Sequence, residues 1–190
     1  MDLGRGSDAE AIDVGKVAAL GLKRQHWKPP YRGEVGAASV FLAGSIEMGK
    51  ATRWQEYLAG EIIEAVGLDV TVFDPRRDDW DPEWKQREDC PPFKAQVEWE
   101  LEFLERADIV AMHLEPGTLS PISLLEFGMF AKSEKLVVCC PLDFGRSGNV
   151  WVTGHYEGSK CMLVETMGEL KAEVVSRLKR IIKERRDGAE

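Results

Sequence analysis

Glu126 is a single acid inside an apolar run, "SPISLLEFG" at residues 120–128. A carboxyl group among Leu124, Leu125 and Phe127 has two readings. It is a helix residue that faces water, or it is a reactive group sheltered from water. A helix start favours the ionised form, while apolar neighbours favour the neutral form by desolvation. A carboxyl group poised between these effects can serve as a nucleophile. Gly128, two residues on, permits close backbone approach. A second acid, Glu100, sits in "QVEWELEFLERAD" between Trp99 and Leu101. Helix periodicity alone puts it on the exposed face with Glu98, Glu102 and Glu105, although the sheet's carboxyl edge is within its reach.

Two further stretches carry chemistry-bearing residues. "GSIEMGKAT" (44–52) nearly spells the phosphate-binding loop G-x-x-x-x-G-K-[ST], but Ala51 stands where a metal-binding hydroxyl belongs and Thr52 comes one place late. No later strand ends in the expected metal-binding aspartate, since "DIVAMHLEP" runs to Glu115. A Gly44-Ser45 turn ahead of a helix still offers backbone N–H groups to an anion or a sugar. "FDPRRDDWDPEW" reads as a solvated acidic loop from which one of Asp74, Asp78 or Asp79 reaches a site, with Asp78 the candidate.

These residues need a frame to hold them. "SVFLAG" (39–44) is a short apolar run stopped by glycine, which reads as a buried strand. Further strands follow at 69–75, 108–116, 136–141 and 160–166. Helical spacing joins them: Trp54, Leu58, Ile62 and Val66 in 52–67, and Phe93, Val97, Leu101 and Leu104 as one stripe of 93–107. A third helix has Ser120 as its N-cap and Pro121 in its first turn, and a closing helix follows residue 166. Alternating strands and helices imply right-handed crossovers and a parallel sheet. The predicted fold is α/β: one three-layer domain over 37–186, with a five-stranded parallel sheet in flavodoxin-like order 2-1-3-4-5. Ligands in such sheets bind beyond the carboxyl ends of the strands. Residues 1–36 read as a flexible tail with a short helix near 9–20, which Trp27 and Tyr31 could dock on the domain.

Composition narrows the function. The formal charge of −8 argues against gripping a nucleic-acid polymer, which needs a basic face. No apolar run is long enough to span a membrane, and the acidic start is unlike a leader peptide, so a cytoplasmic location is the default expectation. The four cysteines form no C-x-x-C pair and read as reduced thiols. Three histidines without ligand spacing make a zinc site unexpected.

The ordered series "FLAGSI", "VEWELEFLERADIVA", "SPISLLEFGMFAKSEKLVVCCP" and "GRSGNV" resembles the nucleoside 2-deoxyribosyltransferase superfamily, which includes the 2′-deoxynucleoside 5′-monophosphate N-glycosidases. The similarity spans about 39 to 166. It implies a glutamate nucleophile at the start of the helix after the third strand, a position Glu126 matches. It implies a second carboxylate in the preceding helix, a position Glu100 matches with Glu where the family commonly has Asp. Ser120 stands where the phosphate-using branch has serine, and Gly44 and Ser45 match the first sugar- or phosphate-binding turn. Asn149 is the candidate for a polar residue lent to a neighbouring subunit, which implies a homodimer or larger homo-oligomer. The family's early aromatic contact to the sugar has only Phe41 as a counterpart, and "ISLL" is bulkier than the residues usual ahead of the nucleophile.

The resemblance thus implies cleavage or transfer at the N-glycosidic bond of a (deoxy)nucleoside or (deoxy)nucleoside 5′-monophosphate. Retaining glycosidases use two carboxyl groups about 5–5.5 Å apart for such chemistry, and the intermediate passes to a base or to water. No metal or organic cofactor is required. Two other readings remain open: a non-catalytic module of this fold that binds a nucleotide or a partner, and a P-loop-like NTPase using Lys50.

Overall fold

The computed structural model describes residues 25–47, 50–67 and 69–189. The short helix expected near 9–20 lies outside them. A parallel sheet of six strands runs through the centre: β1 (His26–Trp27), β2 (Ala38–Gly44), β3 (Val70–Phe73), β4 (Ile109–His113), β5 (Leu136–Cys139) and β6 (Met162–Val164). Their order is β1-β3-β2-β4-β5-β6. The five expected strands therefore stand in the expected order, and one more has joined the edge.

All seven residues of β2 are buried, as are all five of β4. Central parallel strands are covered on both faces, which is why their sequences are continuous apolar runs instead of alternating ones. Helices α1 (Trp54–Val66) and α5 (Met167–Asp187) cover one face. Leu58 and Ile62 of α1 share an apolar cluster there with Leu170, Val174 and Leu178 of α5. Helix α5 is started by a reciprocal capping box between Thr166 and Glu169. Helices α2 (Pro91–Arg106), α3 (Pro121–Phe130) and α4 (Ser147–Gly154) cover the other face. Their cluster is aromatic, with Trp99, Phe103, Phe127 and Phe130 packed on Phe41 and Phe73.

One expectation is refined here and one needs correction. Within the segment assigned to the tail, Trp27 docks on the domain as expected; residues 25–29 are covered at the sheet edge, and 30–34 are exposed. Trp27 is buried and meets Tyr31, Phe73 and Phe103 edge-on at centroid distances of 5.2, 5.4 and 5.9 Å. His26 Nε2 and Asp74 Oδ2 lie 2.9 Å apart, and the Asp74 N–H donates to the Trp27 carbonyl at 2.8 Å. An indole withdraws about 150–250 Å² from water when buried, enough to fix a two-residue strand that has little ladder of its own.

The buried stripe of α2 is also different. Gln96, Trp99, Phe103 and Leu104 are buried, while Leu101 is exposed. The large rings win the inward face because they bury more area than a leucine. That choice turns Glu100, one residue past Trp99, toward the sheet.

Candidate functional site

Strands β2 and β4 end level with each other, with Gly44 opposite His113. Gly44 has φ +131°, and a Cβ built on it would meet the His113 carbonyl oxygen at 2.1 Å. Only glycine permits this approach. The chain then turns, and the Ser45 N–H donates to the same carbonyl at 2.9 Å. The Ser45 carbonyl accepts from Trp54 Nε1 at 2.9 Å, which buries the serine completely.

Three hydroxyls gather at this point. Ser45 Oγ lies 2.6 Å from Ser120 Oγ and 2.9 Å from Thr118 Oγ1, and the two latter oxygens are 2.8 Å apart. Ser45 Oγ also accepts the Glu115 N–H at 2.8 Å, and Thr118 Oγ1 donates to the Glu115 carbonyl at 2.7 Å. Ser120 occupies the expected N-cap position, but its hydroxyl does not cap the helix. Its backbone is left-handed (φ 46°, ψ 49°), which turns Oγ into this trio instead.

The loops on either side hold each other. The Glu47 carboxylate accepts the N–H groups of Leu119 and Ser120, the latter at 2.7 Å. In return, Glu115 accepts the Thr52 N–H at 3.0 Å and the Thr52 hydroxyl at 2.7 Å. Arg76, from the loop after β3, donates to the carbonyls of Thr52 and Ala51. Helix α1 begins only at Trp54, four residues past Lys50. A P-loop runs straight from its lysine and hydroxyl into the helix, so this turn has a different shape.

Helix α3 buries an acid beside its rings. Its buried residues are Ser123, Glu126, Phe127 and Phe130, whereas Ile122 and Leu125 are 60% and 62% exposed. Leu124 is half-buried and packs on the aromatic cluster. Of the bulk in "ISLL", the Ile122 and Leu125 side chains are therefore carried away from Glu126. Glu126 is the sixth residue of α3, beyond the first turn where the helix end acts. Burial wins accordingly: desolvation first, then the nearby charge of Glu100, pushes its pKa from 4.5 up to about 8. Among the described residues no hydrogen bond offsets that burial.

Glu100 is half-buried rather than on the exposed face that periodicity alone suggested. Its carboxyl pKa is raised by desolvation, against which a hydrogen bond from Gln96 Nε2 at 2.7 Å works. The same amide group reaches the Pro75 carbonyl at 3.0 Å, so Gln96 ties Glu100 to the loop after β3. Gln96 Oε1 is buried with no partner among the described residues.

The other candidates are more peripheral. Asp78 is exposed and paired with Lys28 at 2.8 Å and Arg53 at 2.6 Å, which hold its carboxyl below the ordinary range. Asp74 is buried and bonded to His26, and Asp79 is exposed and paired with Arg77. Asn149 is the third residue of α4 and exposed. Phe41 is fully buried against Trp99 and has no surface to offer a sugar. Burial pushes the thiols of Cys139 and Cys140 up to about 12 and about 11, which leaves them protonated and poor nucleophiles. Among the described residues no group of three or more acids, histidines or cysteines is gathered to hold a metal ion.

Sequence reasoning missed Gln96, Thr118, and the roles of Glu47 and Glu115. Glu47 carried a signal, as the only acid in "GSIEMGKAT". Gln96 carried a weaker one, lying four residues before Glu100 on the same helix face.

A doubly wound α/β domain with two coupled carboxyl groups at the carboxyl edge of its sheet is the class that this fold and site define. The family described as nucleoside 2-deoxyribosyltransferase like matches residues 37–144, more than half of the chain, and the protein belongs to that family. No curated protein matches the chain.

Proposed function

We propose that the protein cleaves or transfers at the N-glycosidic bond of a (deoxy)nucleoside or (deoxy)nucleoside 5′-monophosphate, with Glu126 as nucleophile. One Glu126 oxygen attacks the anomeric carbon as its bond to the base nitrogen breaks. The reactive form leaves Glu126 ionised and holds the pair's one proton on Glu100; the bonding pair leaves with the base, and Glu100 supplies that proton to it. Water or a second base then attacks the same carbon, its own proton returns to Glu100, and Glu126 is released as a carboxylate. The observation that carries this reading is the inward placement of Glu126 on a helix whose Ile122 and Leu125 face out, within electrostatic reach of Glu100. Sheltered carboxyl pairs with raised pKa values suit acid–base and covalent work at neutral pH.

Gly44, Ser45 and Ser120 form the floor of the site in this reading, and Asp78 and Asn149 contribute from its rim. The exposed side chains of Ile122, Leu125 and Met129 on α3, with Val152 and Tyr156 nearby in sequence to Asn149, support pairing of two copies. Four free cysteines suit a reducing, cytoplasmic setting.

One observation favours a non-catalytic binding module. With a pKa of about 8, Glu126 is largely neutral at pH 7 and could donate a hydrogen bond to a ligand. Base release from a panel of deoxynucleosides, their 5′-monophosphates and the ribo forms, with and without an acceptor base, separates the two. Release or exchange by the wild type that is lost in Glu126→Gln supports the enzyme. Equal nucleotide binding by both proteins without release leaves the module.

A further inference from the structure

We infer that Glu47 determines what the far end of the sugar can carry: its carboxylate fills the anion seat at the entrance of α3 and reserves the site for a nucleoside without a phosphate there. This rests on the proposed chemistry at Glu126. Ser120 precedes Glu126 by six residues, about 9 Å along a helix axis, which is within reach of a phosphorylated pentose whose anomeric carbon meets Glu126.

Three observations carry the inference. The N–H groups just ahead of Pro121, which has none of its own, are those of Leu119 and Ser120, and both already point at the Glu47 carboxylate. An anion at a helix start is held by such groups, so an incoming phosphate must displace Glu47. The hydroxyls are equally committed. Ser45, Thr118 and Ser120 have three protons to share among their mutual contacts and the Glu115 carbonyl. Ser120 has no proton to give a phosphate unless it abandons a neighbour. Finally, the Glu47 loop is fastened at its other end, through Thr52 to Glu115 and through Ala51 to Arg76. Glu47 is therefore a built contact, and a phosphate carrying −1.5 to −2 charge at pH 7 would meet it head on.

The test is a titration of inorganic phosphate into wild type, Glu47→Ala and Glu47→Gln, followed by calorimetry. Base release from a deoxynucleoside and its 5′-monophosphate is measured in parallel. Wild type should take up phosphate weakly, and Glu47→Ala about tenfold more tightly, a change of ~1.4 kcal/mol. The kcat/KM ratio should shift toward the monophosphate by a similar factor. Glu47→Gln keeps an acceptor for both N–H groups while removing the charge, so it decides the matter if the alanine variant fails to fold; an intermediate affinity is expected. Phosphate binding by wild type as tight as by the variants, or no gain in either, overturns the inference. Absence of base release from every protein would retire the proposed reaction, while the phosphate titration would still judge Glu47.

Discussion

Glu47 and Ser120 are the two non-glycine residues with positive φ among those described, and they are hydrogen-bonded to each other. Left-handed backbone costs an L-residue roughly 1–3 kcal/mol and clusters where a site must be held in one shape. Ser120 carries an added burden, because the residue before a proline is biased toward extended conformations. The two residues thus combine backbone strain with the seam between the β2–α1 and β4–α3 loops.

Strain and hydrogen bonding at Ser120 can be separated. Ser120→Ala removes the hydroxyl and keeps the Cβ, so it should destabilise the fold by about 1–3 kcal/mol. Ser120→Gly also removes the hydroxyl but relieves the positive φ, so it should cost about 1 kcal/mol less. Urea unfolding of both variants decides this. A glycine variant less stable than the alanine one would show that φ is not strained at this position.

The Glu126 carboxyl should titrate far above an ordinary glutamate. A carbon-13 NMR titration should place its midpoint near 8, and Glu100→Gln should lower that midpoint because it removes the charge that helps raise it. The acidic limb of any base-release profile should follow, with the rate rising as pH approaches 8. The pair titrates jointly, so apparent midpoints belong to both groups. A wild-type midpoint in the ordinary glutamate range would mean that water reaches Glu126 freely.

Stability should report the same proton. Below the unfolded value of about 4.5, Glu126 is protonated in both states. Between 4.5 and about 8 the unfolded chain loses the proton and the folded chain keeps it, so stability falls as pH rises through that window. The loss is about 5 kcal/mol at most. Glu126→Gln escapes it. Relative to wild type, the variant should therefore gain stability between about pH 5 and about pH 8.5. An unchanged difference across that range would rule out the buried, protonated state.

Gln96 positions Glu100, and Gln96→Leu should show it in two ways. The Pro75 carbonyl and the Glu100 carboxyl both lose a donor, which should cost about 1–3 kcal/mol. The lost hydrogen bond favoured the ionised form of Glu100, so the Glu100 midpoint should move higher. A loss of stability with no movement of that midpoint would leave Gln96 a purely structural residue.

Much of this architecture was readable in the residues. The runs at β2, β4 and β5 could be assigned because strands covered on both faces are apolar throughout. Their order followed from the alternation with helices. Glu126 was visible as an acid in an apolar run. Periodicity misled at α2, where counting leucines missed that Trp99 and Phe103 would claim the inward face and carry Glu100 with them. It was silent at α3, where apolar residues lie all round and no pattern tells which side is covered. The Glu47 and Glu115 contacts join loops some 70 residues apart, and no local spacing encodes them. β1 was hidden for a related reason: two residues show no period, and what holds them is a ring packed on Phe73 and Phe103.

That strand also has a consequence in time. β1 precedes β2 along the chain, yet it pairs with β3, His26 opposite Val72 and Trp27 opposite Phe73. A growing chain makes this strand before β3 and cannot place it until residue 73 has followed. Phe73 and Phe103 therefore reach Trp27 only after β2 and α1 have been made. The edge of β3 is likewise open until a segment from long before comes back to close it. Among the described strands, the first written is not the first built in.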